Sequence, residues 1–147
     1  MSWFHAALVF CGGAFLAIQA GINVTLGRAA GGPIWAALIS FAIGTLCLLA
    51  VQLAGRAPWP TAAGLAAAPW TAWIGGALGA FYVSAIIVAA PRLGAAATIG
   101  FVIAGQVLTS LVIDQFGLLG FAQQAITPAR ALGAVLLVAG VLLIRLF

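Results

Sequence analysis

Residues Gly94 to Phe116 read GAAATIGFVIAGQVLTSLVIDQF, and this stretch decides the fold. It carries a single charge, Asp114, close to its end. About 20 consecutive apolar residues rising 1.5 Å each cross the hydrocarbon core of a bilayer as a helix, which satisfies its own backbone polar groups. A transmembrane β-strand would instead alternate over about ten residues. The run is continuous and does not alternate, so it reads as a membrane-spanning helix.

Four more such runs flank it: Trp3 to Val24, Pro33 to Leu53, Pro69 to Ala90 and Pro128 to Leu146. The whole chain of 147 residues is 66% hydrophobic and 4% charged, with a mean hydropathy of +1.31. Soluble domains run near 45–50% apolar and about 25% charged. The charge here is too sparse to cover a globule, and disorder needs the opposite composition. The expectation is an all-α integral membrane protein, one domain of five helices over residues 1–147. The first run lacks a basic leader and exceeds the length of a signal-peptide core, so it reads as a span.

The breaks carry turn chemistry. GRAAGGP (Gly27–Pro33) ends the first run and supplies Pro33 as a first-turn proline for the second. GRAPWP (Gly55–Pro60) opens the longest connection, and PRLG (Pro91–Gly94) reads as a tight reversal. Thr127 and Pro128 form a cap and first turn for the last helix. Trp3, Trp35, Trp59 and Trp70 fall near run ends, where an aromatic belt sits.

The five bases are all arginine, one per connection or terminus: Arg28, Arg56, Arg92, Arg130 and Arg145. Isolated cations of this kind exclude nucleic acid as a partner, which requires a clustered basic patch. With five spans, Arg56 and Arg130 share the membrane side of the N-terminus, and Arg28, Arg92 and Arg145 take the other. Two against three barely sets an orientation by the positive-inside rule. Insertion both ways would give an antiparallel homodimer, and inverted repeats are how many secondary transporters are built. A single orientation with few charges of any kind is the competing reading. Cys11 and Cys47 lie in apolar runs with no CxxC and no ligand partners, which predicts buried inert thiols and no metal or cofactor.

The motifs QAGIN (Gln19–Asn23), PIWAALISFAIGTL (Pro33–Leu46), PRLGAA (Pro91–Ala96), IAGQ (Ile103–Gln106), SLVIDQFG (Ser110–Gly117) and RALGAVLLVAGVLLI (Arg130–Ile144) resemble the YdcZ-type family of the drug/metabolite transporter superfamily. The likeness covers nearly the whole chain. It implies a bacterial-type inner-membrane protein, multi-pass, forming half of a ten-helix transporter fold, with halves meeting as dual-topology homodimers, paired gene products or fusions. Small multidrug-resistance relatives use a first-helix glutamate. This chain has none, so that mechanism does not carry over.

Polar residues inside the runs are pathway candidates, because each is costly in lipid unless paired. Gln19 and Asn23 share one face of the first helix; Gln106, Ser110 and Asp114 repeat at i, i+4 and i+8 in the fourth, with Thr109 beside them. Tyr82 and Ser84 lie in the third. Gln19, Asn23, Tyr82, Gln106 and Ser110 are therefore expected along a substrate pathway, with interhelical glue as the alternative. Asp114 stands at a helix C-terminus, where the dipole disfavours an anion. An ion pair or gate with Arg130 or Arg56 is expected, against direct proton or substrate binding. His5 reads as interfacial. Gly75 and Gly79 form a GxxxG, Gly100 with Ala104 a looser version, and Gly133 and Gly140 a heptad pair, all candidates for helix packing or dimerisation.

One aspartate and one N-terminal histidine supply no catalytic constellation, so an enzyme is not expected. The leading expectation is a small secondary transporter moving a neutral or weakly cationic organic solute by alternating access, with Tyr82 and Trp73 as cation–π surfaces. The alternatives are a non-transporting membrane subunit or one half of a heterodimeric transporter.

Overall fold

The computed structural model describes residues 3–147. Among these residues, five helices are long and apolar enough to cross a membrane. They are α1 (Trp3–Ala30), α2 (Pro33–Gly55), α4 (Gly75–Leu93, entered through a 3-10 turn at Trp70–Ile74), α5 (Ala95–Phe116) and α6 (Pro128–Leu146). A short α3 (Ala62–Ala66) lies in the connection after α2. The chain divides into two compact units between Val88 and Ala89, inside α4.

In the first unit, α1 continues six residues past the expected Val24. Leu26 and Gly27 extend the packed face, and Arg28 places a cation in the last turn, where the dipole favours it. Gly31 then turns at φ 83°, the Gly32 amide donates to the Gly27 carbonyl at 2.9 Å, and Pro33 opens α2. The core is built from small and branched residues: Ala36, Ala37, Val83 and Ile87, with Leu26 and Tyr82 packed against it. No large side chain among the described residues is fully buried. Lipid gives no hydrophobic drive between helices, so contact depends on close approach at small residues. A Cβ on Gly27 would stand 3.2 Å from Ile87 Cγ2, and one on Gly79 would stand 3.3 Å from Phe41 Cζ.

After α2, Arg56 adopts a left-handed φ of 49°, and the Gln52 side-chain amide donates to the Ala57 and Pro58 carbonyls at 2.9 and 3.3 Å. Thr61 caps α3 by accepting from the Gly64 amide.

In the second unit, Gly94 breaks the helix at φ 82°, and the Thr98 hydroxyl donates back to its carbonyl at 2.7 Å. Helix α4 runs through Pro91 to Leu93, so the break expected across PRLG narrows to Gly94. Ala97, Gly100 and Ala104 lie on one face of α5 and are buried, as are Ala134 and Val141 of α6. A Cβ on Gly100 would sit 3.1 Å from both Val141 methyls. Gly100→Ile is expected to cost about 1–3 kcal/mol by overpacking. Val141→Ala should recover most of that in a thermal melt of the purified protein. A neutral Gly100→Ile would disprove this contact. Thr127 caps α6 by accepting from the Arg130 amide at 3.3 Å, and Pro128 occupies the first turn.

One packing expectation needs correction. Cys11 and Cys47 are free thiols on exposed helix surfaces rather than buried. A chain whose core is a few small residues per helix contact leaves most apolar side chains outside it, cysteines included. Of the glycines expected at helix or dimer contacts, Gly79 meets Phe41 and Gly100 meets Val141, and a Cβ at Gly75, Gly133 or Gly140 would have no neighbour within 4 Å.

Candidate solute site

Helix α1 presents Leu16, Gln19, Ala20 and Asn23 along one face, and together they form one wall of a small cavity. Tyr82, Val83 and Ile86 of α4 close it. Three of the residues expected on a pathway (Gln19, Asn23 and Tyr82) thus converge at one place within the first unit. Asn23 is 4% exposed as a residue, yet no side-chain hydrogen bond joins it, Gln19 or Tyr82 to another protein group among the described residues. No polar side-chain atom among the described residues is at once sealed off and unpaired. The Asn23 amide therefore opens onto the cavity. The free volume is about 10 Å³, enough for the centre of roughly one water molecule.

A larger groove of about 420 Å³ lies on another side of α4. Ile34, Ala37, Leu38 and Phe41 of α2 line it with Ala80, Phe81 and Ser84 of α4, and it is almost wholly apolar. The sequence reading gave no sign of this groove, because any helix pair rich in alanine and phenylalanine could form one.

The second unit holds the polar end of α5. The Asp114 carboxylate is ion-paired with the Arg130 guanidinium, both half-buried. Arg130 also donates to the Gln124 and Ala125 carbonyls at 3.0 and 3.3 Å. The Asp114 carbonyl accepts from the Gln124 amide at 2.8 Å, and the Gln115 side chain accepts from the Ile126 amide at 2.7 Å. Gln123 donates to the Gln115 carbonyl at 2.9 Å. The connection from Gly117 to Thr127 is thus folded onto the helix end as a hydrogen-bonded clasp. The roles of the Gln115 and Gln123 side chains were missed because nothing in the sequence separates them from ordinary polar residues near a helix end. Arg56, the other candidate partner of Asp114, sits at the C-terminal cap of α2.

Gln106 and Ser110 are exposed on α5, and the small cavity is lined only by first-unit residues. Trp73 is exposed in the turn before α4, outside the cavity lining. No group of three or more His, Cys, Asp or Glu that could hold a metal occurs among the described residues.

No curated protein and no solved structure matches the chain significantly. A family model does, over residues 4–143, and its match agrees with five apolar helices of a multi-pass inner-membrane protein. The chain belongs to the YdcZ family, described as "Putative inner membrane exporter, YdcZ".

Proposed function

We propose that the protein is a small secondary transporter that moves a small organic solute, neutral or weakly cationic, by alternating access. The observation that carries this reading is the convergence of Gln19, Asn23 and Tyr82 on one cavity with their hydrogen-bonding capacity unused. Side chains serving only as interhelical glue would be paired to one another or to backbone. Family membership supports export from the inner membrane.

The working unit in this proposal is an antiparallel homodimer, with each chain as half of a ten-helix fold. Gln106 and Ser110 are polar residues on a membrane helix: facing lipid they would be costly, whereas in a dimer they would line a solute path. Asp114 and Arg130 act as a fixed ion pair at the rim of that path, and solute hydrogen bonds are made by the uncharged groups.

The test is flux into proteoliposomes of a solute selected by thermal stabilisation of the purified protein. Tyr82→Ala and Gln106→Ala are each expected to lower flux at least about tenfold relative to the native chain. Flux equal to that of empty vesicles for all three proteins would favour a non-transporting subunit, docking through the open faces at Gly133 and Gly140.

A further inference from the structure

We infer that the cavity between α1 and α4 is a recognition notch for one uncharged polar group of the solute, a carbonyl, amide or hydroxyl, which takes the place of a single bound water. This deepens the transport reading and rests on it for the notch's role in selectivity.

Three observations converge. Asn23 is more than nine-tenths buried, no protein group pairs its amide, and the amide atoms stay accessible at the cavity. An accessible, unpaired amide in apolar surroundings is available to the polar group that enters. Gln19 and Asn23 each offer a donor and an acceptor, and Tyr82 offers a hydroxyl that does both. The lining contains no charged side chain, so an ammonium or carboxylate entering it would be desolvated without a counter-ion. The volume fixes the size of what is read: about 10 Å³ accommodates the oxygen or nitrogen of one group, not the body of a solute. Leu16, Val83 and Ile86 complete an apolar collar that would hold the carbon attached to that group.

The notch and an interhelical hydrogen bond make different predictions for the same substitution. Asn23→Leu keeps the branched shape and removes the amide, while its two methyl groups add bulk. With the protein in detergent the readout is therefore ligand binding, because lost amide and added bulk act on the melting temperature in opposite directions. Benzamide, benzoate and benzyltrimethylammonium share a ring and differ in charge. At millimolar concentration, benzamide alone is expected to raise the melting temperature of the native protein, and Asn23→Leu should weaken its binding at least about fivefold. An absent response to benzamide would overturn the inference, as would a response to the charged compounds as large as that to benzamide, or equal benzamide binding by Asn23→Leu and the native protein. Benzamide binding with these signatures but no flux in vesicles would overturn the transport reading and leave the notch standing.

Discussion

Asp114→Asn is expected to destabilise the α5–α6 connection by about 1.5–3 kcal/mol, the usual worth of a hydrogen bond to a charged group. The substitution leaves Arg130 half-buried with no counter-charge, while its bonds to the Gln124 and Ala125 carbonyls are too few to hold it alone. The clasp should then open locally. Hydrogen exchange of the Ile126 amide, now protected by Gln115, should quicken about tenfold or more, since each 1.4 kcal/mol is a factor of ten. Arg130→Gln alone should do much the same. The double variant should be less impaired than the sum of the two, because no charge is left unpaired, and the cycle measures the coupling. Solute flux provides the decisive arm. A fixed ion pair predicts that the double variant, once folded, keeps most of its transport. Loss of flux in a double variant with native exchange protection would instead make Asp114 a participant in transport.

The ion pair explains why the chain's one acid sits where a helix dipole opposes it. The C-terminal carbonyls of α5 disfavour an anion, and the Arg130 guanidinium offsets that penalty while also binding loop carbonyls. The partner had to lie on the same membrane side as Asp114, which narrowed the choice to Arg56 or Arg130 from sequence. Choosing between them required the path of residues 117–127. That path is set by side-chain to backbone bonds from Gln115 and Gln123, which no periodicity reveals.

The helices were legible because lipid imposes a length and a composition on any segment that crosses it. The last span, Pro128–Leu146, matches its expected bounds, and its Thr127–Pro128 start follows from cap chemistry alone. The first did not end where hydropathy fell. Backbone hydrogen bonding carries α1 past Val24 to the glycines, and an arginine in the last helical turn is favoured, not a stop signal. The spacing of Gln19 and Asn23 placed both on one face of α1, but that Tyr82 of α4 meets them depends on how Gly27 lets Ile87 approach. The small-residue spacings were only partly legible. A glycine matters where a neighbour comes close: Gly79 meets Phe41 and Gly100 meets Val141, while no neighbour approaches Gly75.

Orientation-locked variants should separate the antiparallel assembly from every parallel one, with the largest change in activity of any substitution considered. Arg56 and Arg130 on one side against Arg28, Arg92 and Arg145 on the other leave the native chain almost unbiased. Two exposed positions in the longest connection, Ala63 and Ala67, accept lysines without touching a core contact. Ala63→Lys with Ala67→Lys should hold the N-terminal side in the cytoplasm. Ala29→Lys with Ala95→Lys and Arg56→Gln should hold the opposite side there, and both lysine sites are again exposed. A cysteine at Ala57, with Cys11 and Cys47 replaced by alanine, reports the result by labelling from outside intact cells. The native background should label in part, the first locked set not at all, and the second fully. An antiparallel dimer needs both orientations, so either locked protein alone should fall to background flux, and producing the two together should restore about half of native flux or more. A parallel dimer reverses the outcome: one locked form would transport unaided, and its partner would add nothing. The same pair of proteins also bears on how Gln106 is used. Two antiparallel copies place that residue at a common depth near the middle of the bilayer, so Gln106→Ala in only one locked form should leave intermediate flux, and in both should abolish it.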